Sequence, residues 1–173
     1  PEGVAHITGD DVHHLFRVLR LHKGDAVELC DGNGVDYDGV LTSVTEREAL
    51  CRAANARPSP AEPRCRVTIV QSLPKAGKME LIVQKCVELG AHAVQPVLSA
   101  RCVPVPGNDF ERKRARYQRV ADEAAKQSRR GILPRVLPLM PLDALDFAAF
   151  TAVFVAYEAE RAVTLKQALR ECG

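Results

Sequence analysis

Hydrophobic and polar residues follow two rhythms along the chain, and the rhythm changes about a third of the way through. In "TGDDVHHLFRVLRLHKGD", Val12, Leu15, Phe16 and Leu19 recur at helical spacing behind Thr8 and Asp11, which read together as an acidic variant of the capping box. After Gly24 the period falls to two. "AVELC", the turn "DGNG" and "VDYDGVLTSV" predict a β-hairpin, and a further short strand is predicted over 49–53. "ANARPSPAEPRC" then brings three prolines and few apolar residues, the composition of a linker. This reading gives a mainly-β domain over 1–57, a linker over 58–65 and a second domain over 66–173. A module of about 55 residues buries little surface by itself, which favours an appendage docked on a partner.

Beyond the linker the periods are those of an α/β protein. "VTIVQSL" is a buried-strand run, and "KMELIVQKCVELG" sets Met79, Ile82, Val83 and Cys86 on one helical face with Gly90 as its C-terminal stop. "AHAVQPVL" supplies the next strand, completing a βαβ unit and hence a parallel sheet. A long helix is predicted over 109–129, with Tyr117, Val120, Ala121, Ala124 and Ser128 inward and its arginines outward. A short strand over 136–139, a helix over 142–150, an apolar strand "AVFVAY" over 152–157 and a last helix over 164–170 follow.

Composition narrows the class. At 173 residues and 46% hydrophobic the chain can bury a core, and no uninterrupted apolar run reaches the length of a membrane span. The opening "PEGVAHITGDD" has neither a basic nor an apolar leader segment, so the expected location is the cytoplasm, with no membrane association. Six dispersed cysteines, without C-x-x-C or a neighbouring histidine pair, read as free thiols and imply no metal. The net charge of +2 conceals an asymmetry. Residues 1–57 carry 6 Lys/Arg against 10 Asp/Glu, whereas residues 58–173 carry 18 against 12. Residues 101–135 alone hold 10 Lys/Arg and 4 Asp/Glu, a density that suits either a solvated helix face or a polyanion-binding surface.

The chemistry-bearing motifs are few. "LPKAGKME" follows a strand and precedes a helix, yet a phosphate loop would need glycine at Ser72 and a hydroxyl at Met79, so two exposed lysines near a helix start are the better reading. The five histidines lie in no nucleophile context. "EAAKQSRRGILP" is the most informative stretch, because Gln127, Ser128, Arg129 and Arg130 cluster where a helix is about to end. They can form a base-binding group, with arginine and glutamine donors stabilising negative charge on carbonyl oxygens. Alternatively they satisfy the helix's last carbonyls and its dipole.

Spaced motifs along nearly the whole chain resemble the bacterial 16S ribosomal RNA uridine N3-methyltransferases of the SPOUT class. His14-x-x-x-Val18-Leu19-Arg20, Gly24-Asp25 and Asp31-Gly32-x-Gly34 are similar to that family's PUA-like RNA-binding module. Gln84-Lys85, Glu88-Leu89-Gly90, Pro96, Ser99 and Arg101 resemble its second domain, as do Glu123-Ala124, Gln127-Ser128-x-Arg130 and Pro134. The resemblance implies a PUA-like domain joined to an α/β-knot methyltransferase domain, S-adenosylmethionine as cofactor, and 16S rRNA in the small ribosomal subunit as partner, acted on by a homodimer. It implies Arg130, Gln127 and Ser128 as catalytic, with Arg130 favoured over Arg129. Arg17, Arg20, Lys75, Arg101 and Arg116 are expected to bind RNA, and His14 to pack or cap. Family members also carry an N-terminal paired-aromatic strand and a C-terminal Gly-Pro-Glu-Gly-Gly strand end with a Leu-Gly-x-Arg-Ile-Leu-Arg type segment. Neither occurs here, so the expectation is a fragment that keeps one wall of the cofactor pocket, near Tyr157 and Glu158, and does not methylate by itself. The alternative is an RNA-binding module without catalysis; a generic nucleotide-binding domain is disfavoured by the failed phosphate loop.

Overall fold

The computed structural model describes residues 3–75, 77–100, 102 and 109–172. Its first sheet contains β1 (Gly3–Thr8), β2 (Ala26–Cys30), β3 (Val35–Val44) and β4 (Glu48–Pro58), arranged β1-β4-β3-β2 and antiparallel throughout. A short helix, α1 (Asp10–His13), runs into one wide turn over His14–Val18 and covers one face. Val12, Leu41, Ala49 and Cys51 are its buried centre, flanked by Ile7, Leu15, Val27 and Leu29. The expected hairpin is present. Its "DGNG" turn is held by Asp31, whose carboxylate accepts from the Asn33 and Val35 N–H groups at 2.7 and 3.1 Å, while Gly32 and Gly34 take φ values of 73° and 98°. Gly39 of β3 pairs with Ala53 of β4, and a Cβ there would meet the Cys51 sulfur at 2.5 Å.

The second sheet is parallel. β5 (Thr68–Ser72) pairs with β6 (Ala93–Leu98), which pairs in turn with β7 (Arg135–Val136) and β8 (Met140–Pro141). α2 (Lys78–Glu88) and α3 (Phe110–Gln127) pack on it through Met79, Val83, Val87, Phe110, Tyr117, Ala121, Ala124 and Ala125, closed by Val94 and Val136 from the sheet. Phe110 and Tyr117 meet edge to face at 6.4 Å. The βαβ unit and the inner faces of both helices follow the period of the sequence.

Four expectations are corrected. Thr8 ends β1 and caps nothing; Gly9 precedes α1 and no side chain caps it. The strand predicted over 49–53 runs from Glu48 to Pro58, because β1 and β3 flank it on both sides and give its backbone partners along that length. The helix predicted over 142–150 is two 3-10 turns, Leu142–Ala144 and Phe147–Ala149, since Asp146 breaks it by accepting from the Ala148 N–H at 3.0 Å. The apolar run 152–157 forms no strand: among the described residues no strand pairs with it, its Tyr157 carbonyl accepts only from the nearby Glu160 N–H at 3.1 Å, and Val155 is 82% exposed. α4 (Leu165–Glu171) begins with a capping box between Thr164 and Gln167.

Candidate functional site

α3 ends in a complete Schellman motif. The Arg129 N–H donates to the Lys126 carbonyl at 3.2 Å and the Arg130 N–H to the Ala125 carbonyl at 2.9 Å, with Arg129 in the left-handed region at φ 54°. The reversal turns the next side chain back into the protein. Arg130 is only 7% exposed. Its Nη1 donates at 3.0 Å to both the Val87 and the Ala91 carbonyls. Those groups close α2, which ends in its own Schellman motif with Gly90 at φ 100°. A guanidinium there complements the negative end of the helix dipole. Its Nε and Nη2 form a two-pronged pair with Glu62, both at 2.9 Å. Burial pushes the Glu62 carboxyl up, but hydrogen bonds from Arg130 and the Ile132 N–H, with the arginine's charge, outweigh burial and hold it below the ordinary carboxylate range.

In this structure the Arg130 guanidinium is an internal clamp, its donors directed to Glu62 and to the Val87 and Ala91 carbonyls rather than to an open surface. The Ser128 hydroxyl donates to the Ala124 carbonyl at 2.7 Å, the helix-closing alternative that the residues alone left open. Gln127 is exposed and lines an open groove of about 430 Å³ between α2 and α3 with Gln84, Arg116, Arg119, Val120, Glu123 and Ala124. Arg116 pairs with Glu80, while Arg119 has no side-chain partner among the described residues.

The other expected residues are scattered. Arg17 lies outside the first sheet, paired with Glu46 at 2.5 Å and 5.5 Å from the Phe16 ring centre. Arg20 is exposed at φ 53°, and Lys75 is exposed in the loop after β5. Arg101 falls outside the described residues. Tyr157, 64% exposed, and Glu158 stand on an unpaired segment that lines neither the groove between α2 and α3 nor the concave site around Glu62 and Arg130. The cofactor-pocket wall expected at Tyr157 and Glu158 is therefore not assembled among the described residues. They form no potential metal-binding cluster and no helix long and apolar enough to cross a membrane.

Two residues escaped the sequence reading. Glu62 lies inside the proline-rich stretch that reads as a linker, where an acid standing alone among prolines is its one sequence signal. Arg119 was hidden among equivalent arginines of α3; only its position one turn after Arg116, on the Gln127 side of the helix, separates it from the rest.

The β-rich module is tied to the second through the end of α3. Gly34 N–H donates to the Gly131 carbonyl at 2.8 Å and Leu133 N–H to the Gly32 carbonyl at 3.1 Å, making an antiparallel bridge between Asn33 and Ile132. Lys126 reaches Asp11 at 2.7 Å across the same seam. Ser59 N–H bonds the Gly34 carbonyl at 2.8 Å, so the expected linker is docked against both modules.

Residues 61–172 match the family model of the RNA methyltransferase domain, and residues 7–53 match that of the RNA methyltransferase PUA domain. The ribosomal RNA small subunit methyltransferase E of Bacillus subtilis is 36% identical over 155 residues, 88% of this chain and 60% of that protein. The protein of the same name from Synechocystis is 37% identical over 139 residues, 78% of this chain and 43% of its own length. The crystal structure of a Neisseria gonorrhoeae ribosomal RNA small subunit methyltransferase E bound to S-adenosyl methionine superposes with a TM-score of 0.72 at 29% identity, covering 84% of this chain and 62% of that one. This chain spans 43–60% of the length of those two sequence relatives.

Proposed function

The chain belongs to the RNA methyltransferase family, and from that premise we propose that the whole protein transfers a methyl group from S-adenosylmethionine to N3 of a uridine in the 16S RNA of the small ribosomal subunit. The observation that carries this reading is the order of the two matched modules on one chain, a PUA domain followed by an RNA methyltransferase domain. We further propose that it works in the cytoplasm as a homodimer with a knotted methyltransferase domain.

S-adenosylmethionine supplies the electrophilic methyl group in such a reaction. Since the described residues do not enclose it, no catalytic step is assigned to them. They can hold RNA. Arg119, Arg116 and Gln127 border a groove that offers cationic and amide donors to phosphate and base. Arg17, Arg20 and Lys75 add exposed cations, the first two on the β-rich module, and each is proposed as a phosphate contact. Arg101 remains a proposal of the same kind. Tyr157 and Glu158 could meet the cofactor only if their segment were paired into the sheet.

The test is methyl transfer from labelled S-adenosylmethionine to small subunits lacking the modification, run with this chain and with the whole protein. The expected result is a product at uridine N3 with the whole protein. No product with the whole protein, while RNA binding persists, would overturn the catalytic reading and leave an RNA-binding module, which the exposed Tyr157 segment favours for this chain taken alone.

A further inference from the structure

The junction between the modules is unusual in what it buries. Most of its ties are ordinary backbone bonds or an exposed ion pair, but at its centre lies a charge pair whose arginine side chain is 3% exposed and whose glutamate side chain is 15% exposed. Burying such a pair adds little net stability compared with an apolar pair of the same size, so its retention points to a demand for one geometry. The geometry is over-determined. Glu62 comes from the connecting segment, Arg130 from the end of α3, and the accepting carbonyls of Val87 and Ala91 from the end of α2. Glu62 also receives the Ile132 N–H, and Ile132 bridges to Asn33 at the tip of the β2–β3 hairpin. The hairpin is thus coupled to the clamp through Ile132, whose backbone it holds.

We propose that the Glu62–Arg130 pair is a positioning device that fixes the β-rich module against the end of α3, so that one RNA strand is held at once by the exposed arginines of both modules. This rests on the RNA-binding reading above. Arg130 is then a positioning residue, acting through the junction and touching no RNA. Arg17 and Arg20 follow α1, which is tied to α3 by the Asp11–Lys126 pair, whereas Arg116 and Arg119 lie on α3 itself. With the seam closed, binding at one module presents the strand to the other at high effective concentration; with it loose, that gain is lost without any contact residue being changed.

The experiment uses the chain with a 16S RNA transcript as probe. Glu62→Leu/Arg130→Met removes the clamp without leaving a buried charge, and cooperative melting checks that the variant folds. A second change adds Asn33→Cys/Ile132→Cys, with Cys30→Ser to prevent mispairing. Asn33 and Ile132 face each other as a non-hydrogen-bonded antiparallel pair, whose Cα atoms normally lie about 4.5 Å apart, within reach of a disulfide. Spin labels at Lys23 and Arg112 report the spacing of the modules.

The expected result is at least tenfold weaker binding by the clamp-free variant, with the magnitude of its salt slope lowered by about 1.4 for two lost single-strand phosphate contacts, and a broadened label distance. Oxidising the tether should restore all three, and reducing it should remove them again. Wild-type affinity in the clamp-free variant would overturn the proposal. So would a tethered variant that regains its label distance but not its affinity, because Arg130 would then be acting on RNA directly. A wild-type chain that binds no transcript would instead overturn the RNA reading, with the label distances still deciding whether the pair locks the modules.

Discussion

Replacing Arg130 by methionine should unfold the chain far more readily than replacing any other arginine of the basic segment. Methionine keeps the side chain's bulk but removes the charge, and the structure shows what is then left behind. Glu62 retains the Ile132 N–H but loses both prongs of its partner in a site where its side chain is 15% exposed. Stranding one member of a buried ion pair costs about 3–5 kcal/mol. Val87 keeps the Gly90 N–H for its carbonyl, whereas the Ala91 carbonyl loses its arginine donor. That adds about 1–3 kcal/mol if no water replaces it. The assay is urea unfolding of wild type, Arg130→Met, Glu62→Leu and the double variant at pH 7 and pH 4.5. In the wild type the Glu62 pKa lies below its unfolded value, so its contribution is full above about pH 4.3 and is lost as pH falls through the folded pKa. In Arg130→Met the cation is gone and burial remains, so the carboxyl moves up and protonates more easily in the folded state. The deficit relative to wild type should thus shrink at pH 4.5. The double variant should recover most of the loss. A deficit under about 1 kcal/mol at pH 7, or a double variant no better than the single one, would refute the clamp.

Three further outcomes follow from the same region. Arg129→Gly should stabilise the chain by about 0.5–1 kcal/mol in thermal melts, since φ 54° strains any residue with a Cβ and glycine's greater freedom when unfolded offsets part of the relief. Gly131→Ala should destabilise by at least about 2 kcal/mol in urea unfolding, because its Cβ would sit 2.2 Å from the Cβ of Ser59 in the docked connecting segment. Lys126→Ala should cost under about 1 kcal/mol in the same measurement, its bond to Asp11 being exposed to solvent and salt.

The parallel sheet, the two long helices and the hairpin were legible because each is written in a local period: Val83 and Val87 one helical turn apart, Leu29 and Val27 alternating with polar neighbours. What was not legible depends on residues far apart in sequence. Arg130 reads as an exposed cation beside Arg129, and nothing nearby reveals that a left-handed Arg129 turns it inward to meet an acid 68 positions earlier. The strand over 152–157 failed for the converse reason. Its residues have every local preference for β structure, but a ladder needs a neighbour, and "AVFVAY" finds none among the described residues. Of the proposed site, Gln127 and Arg116 line one groove because their spacing returns them to the same face of α3, whereas Ser128 shows that a polar side chain at a helix end is first of all available to that helix's own carbonyls.

The seam built by Asn33 and Ile132 also has a temporal side. Its partners are separated by roughly a hundred positions, so closing it carries the loop entropy of the intervening chain, which the two sheets lower once they have formed. Contacts of that kind define a late step in folding and an early one in local opening. Hydrogen exchange should register this as one event: the amides of Gly34, Ser59, Ile132 and Leu133, though drawn from three separate stretches, should exchange together and faster than Leu41 or Val94 in the centres of the two sheets.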